Sequence, residues 1–416
     1  MRIIGKESSV SVPGTTLISQ EKVGVRRHSS STGCAFLCLI VLLFSGIAVF
    51  GQADEPQPNQ TPGAGKILVH SKFGGQIFGF DIDQNGTEGL LAESQTLSNG
   101  NVLAAVETFD QKTGKILKVV IKTETQDDFV TMGVVGNSVG LVEREHVEGG
   151  FVVKRIFKTL DPLDANKFTG LWTPPIGSQH IIMPTGVSRS QGVPNVGVFA
   201  YDNSDNFTPY VFSSNVAANT FGPVIKIKDA NNFGSGVPPA MAYDSKTNQA
   251  VLGGGTGCFD CRPVIGVVDL TNGKFKEFAG IGFGFVNGVA IDAADGIAVT
   301  DTEDDATVEF YDIKRETGFT VVLPNSGGQQ QFSGADVEFD PMHKLFLIAQ
   351  PDSSSSNGST IYVYDTKGNL KETLNGFSFS NTFNVIPMHI ALNPSQRSGF
   401  VDGPDQGVTE IQSFTY

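Results

Sequence analysis

The sequence predicts an all-β chain, a β-propeller whose repeat length favours seven four-stranded blades over six or eight. Three observations carry that expectation. Gly (49) and Phe (31) are abundant among the 416 residues while Trp occurs once, a composition suited to many short strands and tight turns. Long amphipathic helical periods are scarce. Residues 283–318, FGFVNGVAIDAADGIAVTDTEDDATVEFYDIKRETG, read as short alternating strands bounded by Gly and Asp, and the pattern recurs along the chain.

In that stretch Val289–Ile291 forms a first strand ending at Asp292. Ala293-Ala294-Asp295-Gly296 turns the chain into Ile297–Thr300. Val308–Tyr311 follows, ending at Asp312, and Arg315-Glu316-Thr317-Gly318 leads into a fourth strand, Phe319–Leu323. First-strand ends recur at Asp244, Asp292, Asp340 and Asn393, at intervals of 48, 48 and 53 residues. Third-strand ends recur at Asp269, Asp312 and Asp365, which lie 25, 20 and 25 residues after the first-strand ends. The two longer units carry the insertions GGTGCFDCRP and DSSSSNGS between strands two and three. A four-strand unit at this period is the mark of a propeller. One such sheet cannot cover both its faces, so copies must stack around an axis.

Fainter copies precede these. Phe109-Asp110 with Gly114 matches Val268-Asp269 with Gly273, and Gln76–Asp81 and Val196–Asp202 read as third strands. Leu141–Val147 and Phe151–Thr159 read as a hairpin. Asp81 and Asp110 are only 29 residues apart, too close for successive blades. Val408–Tyr416 is expected to pair beside the N-terminal strands and close the ring, which removes open sheet edges.

The chain divides into residues 1–53, a signal peptide or signal anchor; 54–65, a Pro/Gly/Gln-rich flexible linker; and 66–416, the propeller. Arg26 and Arg27 precede the apolar run Cys34–Phe50; Gly51-Gln52-Ala53 and the acidic Asp54-Glu55 follow. That is the layout of a secretory signal cleaved after Ala53, and the run is also long enough to serve as an uncleaved membrane anchor. Either way the charge asymmetry places the body outside the cytoplasm, periplasmic or extracellular, with residues 34–50 its one route to a membrane. The chain carries a formal charge of −14; residues 1–53 hold five Lys/Arg against two Asp/Glu, so the body alone stands at −17. Such a surface repels nucleic acid. It suits a soluble monomer.

Only Cys258 and Cys261 remain in the exported body. In an oxidising compartment they are expected to form a local disulfide that clips a loop. The alternative, a redox-active CxxC, would sit at a helix N-terminus; here Gly-rich chain precedes the pair and Pro263 follows it.

Four residues before the first-strand ends, successive units carry Ala240, Gly288, Asp336 and His389. Loops leading into innermost strands ring one mouth of a propeller channel. Asn287, Asp336 and His389 are therefore candidates to converge there on a polar ligand or a metal with open positions; otherwise they cap backbone or face channel water. Two oxygen-rich stretches raise Ca²⁺ or another divalent metal as cofactor: Thr302-Glu303-Asp304-Asp305, and Asp81-Ile82-Asp83-Gln84-Asn85-Gly86, whose twelfth position is Ala92 rather than Glu. The turn reading of Asp81 is preferred. Trp172 beside Pro174-Pro175, and nearby His180, are read as packing. No nucleophile elbow, phosphate loop or helical metal pair is present in the sequence.

Residues 287–301, NGVAIDAADGIAVTD, resemble the NHL repeat and the related YVTN-type repeats of bacterial exported propellers, closely over residues 231–416 and in outline before them. That resemblance implies binding or scaffolding. The same stretch is similar to the Asn-Gly motif of the gluconolactonase/regucalcin family of metal-dependent lactonases. It implies Asn287 as a divalent-metal ligand; the family's ligand Asp, expected as Asp-Gly, is offered by Gly334-Ala335-Asp336. The expected function is therefore an exported propeller that binds a protein, glycan or envelope component through its loop faces. The alternatives are a lactonase-type hydrolase with metal on Asn287 and Asp336, and a thiol–disulfide protein using Cys258 and Cys261.

Overall fold

The computed structural model describes residues 61–416 except 84–86, 126, 136–137, 148–149, 160–168, 173–181, 190–194, 203–207, 216–219, 228–239, 245, 256–262, 280–285, 303–306, 325–335, 351–359, 378–388 and 403–409, with backbone alone at 78, 125–210, 214–215, 220–221, 240, 255, 263, 279, 287 and 302. Among the described residues the strands pair into seven separate antiparallel sheets. The first strand, β1 (Gly63–His70), stands apart from its neighbours in sequence. The next sheet is β2 (Gln76–Ile82), β3 (Glu88–Thr96), β4 (Val102–Asp110) and β5 (Ile116–Thr125), then β6 (Asp127–Val135), β7 (Ser138–Val147), β8 (Gly150–Thr159) and β9 (Thr169–Trp172). A third holds β10 (Ile182–Arg189), β11 (Asn195–Asp202), β12 (Thr208–Asn215) and β13 (Thr220–Phe221), with β14 (Ile225–Lys226) also on β12. The fourth is β15 (Ala240–Asp244), β16 (Gln249–Gly255), β17 (Pro263–Asp269) and β18 (Lys274–Ala279). The fifth is β19 (Val286–Asp292), β20 (Ile297–Thr302), β21 (Thr307–Asp312) and β22 (Thr317–Val322), and the sixth β23 (Asp336–Asp340), β24 (Leu345–Gln350), β25 (Thr360–Asp365) and β26 (Leu370–Leu374). The last contains β27 (Ile390–Asn393), β28 (Ser398–Asp402) and β29 (Glu410–Thr415), with β1 added beside β29 as its outermost strand.

The first strands of successive sheets, β2, β6, β10, β15, β19, β23 and β27, each lie beside the next, and β27 lies beside β2. The sheets thus form a ring. Its hydrophobic cores sit between sheets, because each sheet is apolar on both faces. Val337, Phe339, Phe346 and Tyr364 of one sheet meet Val299 and Phe310 of the sheet before, while Leu347, Ile361 and Val363 meet Leu392, Val401 and Phe414 of the sheet after. Ile77, Leu91 and Phe109 of the first sheet pack on Val69, Ala391, Phe400 and Ile411 of the last across the closing seam.

The recurrent Asp is explained at the turns. The Asp312 carboxylate accepts from the backbone N–H of Lys314 and Arg315 at 3.0 and 2.9 Å, Asp365 from Lys367 and Asn369 at 2.9 Å each, and Asp340 from Met342 and His343 at 2.8 and 3.0 Å. These side chains fix the turn two residues ahead of themselves. Gly296 and Gly368 then take φ of 76° and 75°, which only Gly adopts without strain.

The strands read in residues 283–323 stand where expected, with boundaries that agree to within three residues. Three readings change. Gln76–Asp81 is a first strand, β2, rather than a third, and Asp110 ends β4 of the same sheet. The 29-residue spacing is one unit stretched by two nine-residue strands, β3 and β4. Val196–Asp202 belongs to β11, second in its sheet; alternation alone does not distinguish a second strand from a third. Gly63-Ala64-Gly65 of the expected linker is sheet, held as Gly63 and Ala64 pair with Thr415 and Phe414.

Candidate functional site

Each first strand begins on one rim of the ring, and each first-to-second turn lies on the other. The rim where the first strands begin, the leading rim, gathers buried charge. Asp336 opens β23, and His389 immediately precedes β27 in the adjacent sheet. One Asp336 oxygen accepts from the N–H of Val337 at 2.9 Å, the other from the N–H of Ile390 at 2.8 Å. The second bond crosses from sheet to sheet and draws His389 against Asp336. Asp402, at the end of β28, completes the group. One of its oxygens accepts the His389 N–H and the other meets His389 Nδ1 at 2.8 Å.

Sequence reasoning thus brought together Asp336 and His389 and missed Asp402. A signal existed: Asp402 stands at the end of a second strand, and Asp301 one residue short of the end of β20. Asn287 lies in β19, the first strand beside β23, where the register slips by one residue between Val286 and Gly288. Its backbone is the extra residue of a β-bulge. Cys258, Cys261, His180, residues 303–305 and 84–86 lie outside the described residues. Asp81 is described: it is buried, and its carboxylate accepts from the Ile82 N–H at 2.8 Å.

The electrostatics of the cluster decide its chemistry. Burial opposes charging of His389, but the carboxylates of Asp402 and Asp336 outweigh it and push the imidazole up to about 9. Burial raises the Asp336 carboxyl, against the pull of His389 and the Ile390 N–H. At neutral pH the ring is therefore an imidazolium, with one nitrogen committed to Asp402. It suits hydrogen-bond donation to an acceptor on a ligand. A general base or a metal ligand needs a neutral ring nitrogen, which this pair of carboxylates works against. Among the described residues no three His, Cys, Asp or Glu side chains gather as a cation site.

A second buried pair, also unread in the sequence, lies on the same rim. Glu93 on β3 and Glu107 on β4 are each 0% exposed. Glu93 accepts from the N–H of Phe73 at 3.1 Å and of Gly75 at 2.7 Å, and Glu107 from the N–H of Lys72 at 2.9 Å. These carboxylates hold the short connection between β1 and β2.

No protein family and no curated protein matches the chain. Solved structures do. One described as U3-55K aligns with a TM-score of 0.56 at 13% identity, over 85% of this chain and 99% of that one. One described as RRP9 WD40 repeats aligns at 0.55 and 12%, with the same coverage. The chain is a β-propeller. Raptor of Chaetomium thermophilum aligns at 0.54 and 14%, over 85% of this propeller but 29% of that chain, so the propeller spans under a third of Raptor's length. At such identities the likeness is one of fold.

Proposed function

We propose that this propeller is an interaction module that engages a protein partner through its leading rim. One observation carries the reading: the buried carboxylates of that rim are spent on fixing its display. Asp402 and Asp336 hold a charged His389 and the Ile390 N–H, and Glu93 and Glu107 hold the Lys72–Gly75 connection. Pre-organised loops lower the ordering cost of binding. The propeller architecture supports the reading too, since its rims are loop faces on a rigid ring.

Two finer assignments belong to the same proposal. The basic-apolar-acidic pattern around residues 34–50 supports action outside the cytoplasm, with a glycan or envelope component as the other partner class. The 287–301 stretch supports placement among NHL or YVTN-type propellers. A lactonase-type hydrolase is the competing reading, favoured by Asp336 opening β23, the strand that lies beside β19 with its bulge at Asn287.

The test is affinity capture with the full chain from an envelope extract of its source cells, followed by calorimetry with the purified partner. His389→Ala and Lys72→Glu on the leading rim should abolish a stoichiometric complex, and Arg315→Ala on the opposite rim should leave it intact. Equal loss with all three removes the rim assignment. A stoichiometric divalent ion on the purified protein, with lactone hydrolysis abolished by Asp336→Ala, would establish the hydrolase instead.

A further inference from the structure

The connection between β1 and β2, Ser71–Gly75, crosses the seam where the ring closes. β1 belongs to the last sheet and β2 to the first. Three of its amides are held by two carboxylates that have no exposed surface. Both Glu93 oxygens are used, on Phe73 and Gly75. Glu107 uses Oε2 on Lys72, while its Oε1 is buried without a hydrogen-bond partner among the described residues. Ser71 Oγ donates to the Gly75 carbonyl at 3.3 Å and closes the loop on itself.

Two like charges buried side by side are costly unless a cation compensates or one of them takes a proton. Lys72 lies on the loop with its side chain exposed, and its ammonium is placed over the Phe73 ring, 5.8 Å from the centroid. Lys122 of β5 sits 5.1 Å over the same ring and pairs with Glu124 at 2.8 Å. In the closing sheet, His70 of β1 faces Glu410 of β29 at 4.0 Å and Asp402 of β28 is engaged with His389. Lys66 of β1, Asp81 of β2, Glu88 of β3, Asp110 of β4 and Lys118 of β5 complete the charged groups on β1 to β5. The groups that act on Glu107 are Lys72 and Glu93.

We propose that Glu93 and Glu107 form a proton-sensitive latch on the Lys72–Gly75 connection: with Glu107 protonated the repulsion between the two buried carboxyls is relieved and the connection stays closed, and ionisation of Glu107 strains it open. Burial, opposed by the Lys72 N–H and reinforced by Glu93, lifts the Glu107 carboxyl to about 7, so the latch responds near neutrality. An ionised carboxylate accepts an N–H bond roughly twice as strong as a neutral one. Ionisation therefore strengthens the Lys72 bond, but burial and repulsion from Glu93 outweigh that gain, since the carboxyl is raised on balance. The loop that carries Lys72 and Phe73 at the leading rim is then firm on the acid side of neutrality and loose on the alkaline side. This inference stands whether or not the rim binds a protein.

The experiment is amide hydrogen exchange of the full chain, resolved to the peptide covering residues 68–80 and corrected for the intrinsic pH dependence of exchange. Protection should fall about tenfold as the pH rises from 5 to 7.5 and level off above about 7. Glu107→Gln, which keeps shape without titrating, should show the low-pH protection at every pH. A flat wild-type profile, or an unchanged profile in Glu107→Gln, overturns the latch. Should that variant fail to fold, a carboxyl ¹³C titration of the wild-type protein decides: a glutamate resonance titrating near pH 7 sustains the proposal. If every glutamate titrates within about one unit of its ordinary value, the proposal is wrong.

Discussion

His389 concentrates the chemistry of the leading rim in one ring. Its folded value near 9 lies above the ordinary 6.5. Its charge therefore contributes stability that is complete below about pH 6.5 and is lost as the pH rises through 9. The ring is 32% exposed, so solvent discounts the shift to about 2 kcal/mol. Urea unfolding of the full chain should show most of that loss between pH 7.5 and 9.5, above the range in which Glu107 titrates. His389→Gln should flatten this part of the profile and leave the rest. An undiminished slope in the variant would assign it to another group. Position within the repeat made Asp336 and His389 legible in the sequence. Asp402 was not, because its role depends on strand two of a sheet reaching the residue that precedes strand one. Glu93 and Glu107 were hidden for a related reason: within Glu88–Thr96 and Val102–Asp110 they look like ordinary polar alternation, and only the stacking of the closing sheet buries them.

Between elements, the sheets are fastened by side chains that reach from one to the next. Lys344 of the sixth sheet places Nζ 2.8 Å from both oxygens of Asp292 in the fifth. Tyr416, just beyond β29, donates its hydroxyl at 2.9 Å to Asp340 of the sixth sheet, and both side chains are buried. Asp340 already serves its own turn through Met342, His343 and the His343 ring. Tyr416→Phe removes one bond and should cost about 1–2 kcal/mol. Asp340→Ala strips four donors of their acceptor at a buried position and should cost about 3–5 kcal/mol. A double-mutant cycle in urea should return a coupling of about 1 kcal/mol for the pair. Additive losses would mean that the two act separately. The turn Asp was readable because it recurs at a fixed place in the repeat, 48 residues after Asp292. Its second duty to the neighbouring sheet was not, since Tyr416 is 76 residues away. Strand position shows the same divide. The units after residue 240 repeat their Asp spacing and fell into register. Gln76–Asp81 and Val196–Asp202 were misplaced because their own units depart from that spacing, with β3 and β4 lengthened in the first case.

At the scale of the molecule, everything on the leading rim depends on the ring remaining closed. Closure is made by β1, which pairs with β29 through Gly63, Ala64, Leu68, Val69 and His70. Two side-chain bonds reinforce it: Ser413 Oγ accepts the Ile67 N–H at 3.2 Å, and the Gln412 amide donates to the Gly65 carbonyl at 2.9 Å. Val69, with no exposed surface, packs in the seam core with Ile77, Phe400 and Ile411. A Cβ at Gly65 would lie 2.2 Å from Ser413 Oγ, so even the approach of the two strands is tightly specified. Opening this seam would expose the edge of β29 and the apolar faces of two sheets at once, inviting edge-to-edge association. Val69→Asp places a charge without a partner in that core and should cost about 3–5 kcal/mol. Gly65→Val tests the strand approach without adding charge and should destabilise by about 1–3 kcal/mol. Thermal unfolding with light scattering separates the outcomes: both variants should melt earlier than wild type, and Val69→Asp should associate before the remaining sheets lose their far-ultraviolet strand signal. If its loss of ellipticity and its scattering rise together at the wild-type temperature, the seam is not where the ring opens.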